Sequence, residues 1–373
     1  MESNPLKVLT SLGQSVWMDD IRRRMIQSGE VRRMIDNDGL RGITSNPAIF
    51  EKAIAQSHDY DDDIRRMTHQ GKAVMDVYEA LSVRDVQDAA DEFRAVYDTT
   101  EGRDGYVSLE VNPHLAHNTP GTVEEARRLW AALDRPNVLI KVPATVEGLP
   151  AIQQLIREGI NVNVTLLFGL PRYREVVMSY VAGLETRLAE GKPVERVASV
   201  ASFFVSRIDA LVDTILEQRM AQGGRQGEIA ERLLGQVAVA SAKLAYQSYK
   251  ELFRADHFKA LASRGARAQR LLWGSTSTKN PAYGDVKYVE SLIGPDTVNT
   301  LPLETLNAYR DHGHPAVRLE DDLDHARWGL EQLPEVGIDL DQVTQQLEDE
   351  GVEKFNQPFD KLLKAIEQVQ PRT

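Results

Sequence analysis

Short apolar runs rich in β-branched residues alternate along this chain with longer stretches of helical periodicity, and that alternation limits the fold more than any other feature. Eight runs qualify: Ser15 to Asp19, Gly42 to Ser45, Tyr106 to Val111, Asn137 to Ala144, Ile160 to Phe168, Val197 to Val205, Arg270 to Ser275 and Thr297 to Leu301. The second and eighth carry the weakest pattern. Helical stretches such as Val123 to Leu133, Leu149 to Arg157 and Arg172 to Glu190 stand between them. Strands that alternate with helices pair in parallel through crossovers. Eight such units predict an α/β fold, a (β/α)8 TIM-type barrel, with an open doubly wound sheet as the competitor.

The pattern predicts extra helices on that frame. Two fall at Tyr60 to Thr68 and Ala73 to Tyr97, between the second and third strands. A helical block runs from about Ile208 to Ser263, interrupted by the polar stretch Ala221 to Gly227. Helical patterns near Asp321 to Gln332 and Leu340 to Gln368 follow a loop at Gly313 to Pro315. We find no internal repeat and no low-complexity linker. One domain over residues 1–373 is expected, with a barrel core at about 8–312 and a helical tail at about 316–370. The length of 373 residues suits a decorated barrel, since bare ones take about 250 residues.

Composition narrows the partners. With 44 Lys and Arg against 56 Asp and Glu, the net charge is −12, which argues against nucleic acid. An anionic small ligand then needs a local cluster of cations. The absence of cysteine excludes disulfides and thiolate chemistry. Met1 to Gln14 lacks the charge-flanked apolar core of a signal peptide, and no run approaches the roughly 18 apolar residues of a membrane span. A soluble, cytoplasmic protein without membrane partners is expected.

In a barrel the chemistry gathers at the C-terminal ends of the strands, and side chains two apart share a face. Lys141 lies within V-L-I-K-V-P-A, and lysine is rarely buried unless paired or working. Facing the lumen, its ammonium form is disfavoured, and the neutral amine is the nucleophile that makes a Schiff base with a ketone. The plainer alternative is an edge strand with the lysine in solvent. Ser108 and Glu110 share one face of the third strand, where the carboxylate serves either as acid/base and counter-charge or as half of a structural ion pair. Asn161, Asn163 and Thr165 share a parity on the fifth strand, as if lining a pocket. Asp19 and Asp20 end the first strand and Ser45 and Asn46 the second; each pair also suits a helix N-cap, with Pro47 as first helical residue. Ser202 to Arg207, and Gly274 to Asn280 with Ser275, Ser277 and Lys279, give hydroxyls followed by a cation, either a phosphate clamp or ordinary loop polarity.

Together the segments V-W-M-D-D, G-I-T-S-N-P-A-I-F, V-S-L-E-V-N-P, L-I-K-V-P-A-T-V-E-G-L, I-N-V-N-V-T-L-L-F, A-S-F-F-V-S-R-I-D and G-S-T-S-T-K-N-P, in this order, resemble the transaldolase family, in its longer bacterial branch. The resemblance spans roughly Val8 to Glu304. It implies transfer of a dihydroxyacetone unit between sugar phosphates, with no cofactor and no metal. It assigns the Schiff base to Lys141 and acid/base work on the donor hydroxyl to Asp19. Glu110 and Thr165 are to position a proton-relaying water. Asn46, Asn163 and Ser202 are to hold the dihydroxyacetone portion, and Arg207, Ser277 and Lys279 the phosphate. The chain departs from the pattern at Lys279, where many relatives have arginine, and the register leaves Ser277 open against Ser275.

A Schiff-base aldolase on a related sugar phosphate and a non-catalytic regulatory barrel are the alternatives; the latter predicts a missing lysine or carboxylate. His114 with His117, and His312 with His314, lack a carboxylate set for metal and are expected on surface loops. Arg22 to Arg24, and Asp59 with Asp61 to Asp63, are expected on solvated helix faces. The tail helix near Leu340 to Gln368 either covers the pocket mouth or packs beneath the barrel. Oligomeric state, monomer or homodimer, is left open.

Overall fold

A computed structural model describes residues 4–369; the first three residues of the Met1 to Gln14 segment and position 370 of the expected tail lie outside them. Eight parallel strands close into a barrel in sequence order: β1 (Gln14–Met18), β2 (Gly42–Ile43), β3 (Tyr106–Glu110), β4 (Val138–Pro143), β5 (Val162–Leu167), β6 (Ser199–Phe204), β7 (Arg270–Gly274) and β8 (Thr297–Leu301). All eight expected runs form strands, and the open-sheet alternative falls. β1 meets β8 in register from Gln14↔Thr297 to Met18↔Leu301, so no edge is left exposed.

Strand alternation sorts the side chains into two populations. Odd and even positions face either the helix layer, where the main core lies, or the lumen. In the lumen Trp17, Tyr106, Leu139, Val200, Leu272 and Val298 make an apolar cluster of their own. Two residues further along those strands, the inward positions turn polar: Asp19, Ser108, Lys141, Ser202 and Thr300.

The added helices fall near the expected places. The stretch Ala73 to Tyr97 breaks at Phe93 into Val74–Glu92 and Arg94–Thr99. The block after β6 breaks at Gly223, while Gly224 to Gly227 belong to the next helix, Gly224–Leu233. The expected solvated face is also corrected. Arg23 is buried, donating to Asp85 at 2.9 Å and Asp63 at 2.7 Å, with its guanidinium 4.3 Å over the Tyr60 ring. A charge on a short helix is thereby drawn into a cluster that ties it to the insertion between β2 and β3.

The last helix, Leu340–Val369, touches the helices that follow β2 and β6 and the end of β5. It therefore crosses the C-terminal face of the barrel, and the alternative of packing beneath it is excluded. Three contacts seat it. Gly351 lies so close to Leu166 that a Cβ there would stand 2.9 Å from Leu166 Cδ2. Phe359 meets the Tyr78 ring edge-on at 5.2 Å, and His114 Nε2 lies 2.8 Å from Asp360.

Candidate active site

Parallel register brings the key groups side by side, with Glu110 opposite Lys141 and Lys141 opposite Asn163. Lys141 is 3% exposed, so the solvent-facing alternative fails. Its Nζ donates to the Ser45 carbonyl at 3.1 Å and stands 3.8 Å from Glu110 Oε2. Both Glu110 carboxylate oxygens and Thr165 Oγ1 are buried without a hydrogen-bond partner among the described residues. Burial pushes the Glu110 pKa up to about 7, with Lys141 opposing and Asp19 adding to the rise. Burial likewise raises the Asp19 pKa against the pull of Lys141 and the hydrogen bond from Thr44 Oγ1, 2.6 Å. A carboxyl held near neutrality can both give and take a proton at physiological pH.

A cavity of about 140 Å³ opens above these groups, lined among others by Asp19, Asn46, Lys141, Ser202, Arg207 and Lys279. The adjacent aspartates separate: Asp19 lines the cavity, while Asp20 binds Arg22 through both oxygens. Asn46 fills both of its candidate roles. Its side chain accepts from Ile49 N as the N-cap of Pro47–Ala55, and the residue also lines the cavity. Asn163 is spent within the wall, with Nδ2 donating to Ser108 Oγ at 3.0 Å and Oδ1 accepting from Ser202 Oγ at 2.6 Å. Asn161 lies lower, bonded to backbone at Val138 and Ala198, away from the cavity its parity suggested.

The far end of the cavity is cationic. Arg207 Nη1 is buried without a partner among the described residues. Among the described residues Lys279 Nζ donates only to a neutral hydroxyl, Ser277 Oγ, at 2.6 Å. Burial lowers the pKa of both groups, and the charge of Arg207 lowers that of Lys279 further. Two buried cations lining one cavity invite an anion. Ser275 also lines the cavity, but its carbonyl accepts from Ser206 Oγ at 2.6 Å and its hydroxyl lies 3.1 Å from the same atom. Ser277 is the hydroxyl turned to the lysine.

Of the lining residues that the sequence did not single out, three bear most on the site. Thr44 and Thr300, with hydroxyls 2.8 Å apart, sit on the two strands of weakest pattern. Phe355 comes from the last helix, its ring centroid 5.8 Å from Lys141 Nζ; only the amphipathic pattern of that helix hinted at it. A larger cavity, about 350 Å³, opens at the other end of the barrel. It holds none of the expected site residues, and two of its arginines, Arg103 and Arg270, pair with Asp296 and Asp104. Among the paired histidines, His114 meets Asp360, His117 meets Glu147, and His312 meets both Asp285 and Asp311.

Comparison with known proteins supplies the family. Residues 16–366 match the family model described as Transaldolase/Fructose-6-phosphate aldolase. The protein named Transaldolase of Trichodesmium erythraeum (strain IMS101) is 48% identical over 372 residues, 99% of this chain and 98% of the relative. That of Thiobacillus denitrificans (strain ATCC 25259 / T1) is 48% identical over 97% of this chain and 99% of its own. That of Saccharopolyspora erythraea is 46% identical over 97% and 96%.

Proposed function

The chain belongs to the transaldolase/fructose-6-phosphate aldolase family, and from that premise we propose how its residues divide the work. The reaction is that of a transferase. A dihydroxyacetone unit passes from sedoheptulose 7-phosphate to glyceraldehyde 3-phosphate, giving erythrose 4-phosphate and fructose 6-phosphate, in the non-oxidative pentose phosphate pathway.

Lys141 attacks the donor ketone. The carbinolamine must lose water, and Glu110 with Thr165 handles that proton traffic; what supports this is a carboxyl titrating near neutrality on β3 and a buried hydroxyl on β5, both without hydrogen-bond partners among the described residues. The iminium then draws electrons as Asp19 takes the proton of the hydroxyl next to the breaking carbon–carbon bond. The aldehyde leaves, the enamine stays on Lys141, and the acceptor aldehyde reverses the steps. Asn46 and Ser202 hold the dihydroxyacetone hydroxyls, with Asn163 fixing the Ser202 rotamer. Arg207, Lys279 and Ser277 take the phosphate; the lysine acts as a point charge without the bidentate fork of arginine. We place this work in the cytoplasm, in one barrel domain with its tail. No described helix is long and apolar enough to cross a membrane.

The observation that carries the proposal is a lysine 3% exposed among two carboxyls of raised pKa, at the C-terminal end of the barrel. Borohydride reduction in the presence of fructose 6-phosphate tests it. A mass adduct that maps to Lys141 and disappears in Lys141→Ala is expected, with turnover down by about 10⁴-fold or more in that variant. Folded protein that gives no adduct sinks the proposal. Turnover that needs no acceptor aldehyde would assign the chain to the aldolase side of the family.

A further inference from the structure

Most of the surroundings of Lys141 are polar and belong to the barrel. Phe355 is different in both respects: an apolar ring, 4% exposed, carried on the tail helix and facing the amine with its centroid 5.8 Å from Nζ. Its placement is fixed from both sides along one helix face, because residues four apart share a face. Gly351, one turn earlier, sits against Leu166, and Phe359, one turn later, meets Tyr78. Leu166 is itself held at φ 54, where the β5 register slips between Val164 and Leu167, directly after Thr165. The strand irregularity at the reacting face and the tail helix are thus in contact.

We propose that Phe355 sets the partition between transfer and wasteful release by shielding the Lys141 enamine from protonation by water; this rests on the Schiff-base reading of Lys141. After the carbon–carbon bond breaks, the enamine has two fates. Its nucleophilic carbon adds to an acceptor aldehyde, which is transfer. Alternatively that carbon takes a proton, water adds to the resulting iminium, the carbon–nitrogen bond breaks, and free dihydroxyacetone leaves with Lys141 regenerated. The second path consumes the water released when the iminium formed, so it amounts to cleavage of fructose 6-phosphate into dihydroxyacetone and glyceraldehyde 3-phosphate. A ring over the amine removes water from that side and leaves the polar wall, where Asp19 and Ser202 stand, for the sugar.

The test compares unaltered enzyme, Phe355→Ala and Phe355→Val. Each is given fructose 6-phosphate alone, with free dihydroxyacetone measured, and fructose 6-phosphate with erythrose 4-phosphate, with transfer measured. The readout is the ratio of release to transfer, which a merely loosened structure leaves unchanged because both fates share every earlier step. The ratio is expected to rise about tenfold in the alanine variant, with valine between, while borohydride still traps the adduct on Lys141. An adduct with an unchanged ratio overturns the shielding role alone. Absence of an adduct in the unaltered enzyme overturns the Schiff-base reading, and the shielding role with it. Should the alanine variant not fold, an unchanged ratio in the valine variant is the overturning result.

Discussion

The two ends of the barrel lumen each hold a carboxylate beside a cation, and they treat the pair in opposite ways. At the lower end Asp104 accepts from Arg270 at 2.9 Å, from Ser15 Oγ at 2.8 Å and from Trp17 Nε1 at 3.3 Å. Although burial works against it, that set of donors holds the Asp104 pKa below the usual carboxylate range. At the upper end Glu110 stands 3.8 Å from Lys141 with neither oxygen hydrogen-bonded among the described residues, and its pKa climbs to about 7. Both carboxylates are buried, so burial does not separate them; the number of donors does. A satisfied pair fixes the fold, whereas an unsatisfied one keeps free energy available for chemistry.

Removing the lower pair should cost most in stability. Asp104→Ala strands a buried guanidinium, and chemical denaturation should show a loss of about 3–5 kcal/mol, with turnover of the remaining folded enzyme little changed. Equal losses of turnover and stability would erase the distinction between the ends. Glu110→Gln should do the reverse. Turnover should fall by about 10²-fold, yet the fold should not weaken above neutral pH. The sign follows from linkage: a carboxyl whose pKa is higher folded than unfolded binds more protons in the folded state, so stability falls as pH rises to about 7, by up to about 3 kcal/mol. Asp104, with its pKa lowered, gives the opposite slope, its stabilisation being lost in acid. Denaturation midpoints from about pH 2 to 8, each variant set against the unaltered protein, would reveal these opposed slopes, that of Asp104 in the acid limb and that of Glu110 up to about 7, or their absence. The smallest effect concerns the phosphate end. Lys279→Ala should raise KM for fructose 6-phosphate about tenfold, as for loss of one charged hydrogen bond, with kcat nearly kept; a fall confined to kcat would remove Lys279 from that role.

Much of this contrast is legible in the chain itself. Eight β-branched runs suffice for the barrel because parallel strands are covered on both faces and so read as near-continuous apolar segments. Lys141, Ser108 and Glu110 stand out for the same reason, as polar residues within such runs. Parity alone overreached at Asn161, since it names a face but not a height in the lumen. It also cannot tell Asn163, consumed by Ser108 and Ser202, from a residue with free donors. Phe355 was invisible because its sequence signal, an apolar residue on an amphipathic helix, is the same whether the helix covers a pocket or a plain surface. Arg23 misled because three successive arginines look solvated until an insertion supplies Asp85 and Asp63.

The β1–β8 ladder has a consequence in time. Met18 can meet Ile43 of β2 early, but residues 14–18 cannot find their partners on β8 until 297–301 exist. At synthesis rates of about 5–20 residues per second, the first strand waits on the order of 15–60 s on the ribosome with that edge unpaired. The sheet then closes as a late, long-range event. Phe355 emerges later still, so the wall over Lys141 is among the last parts of the molecule to be put in place, long after the lysine it covers.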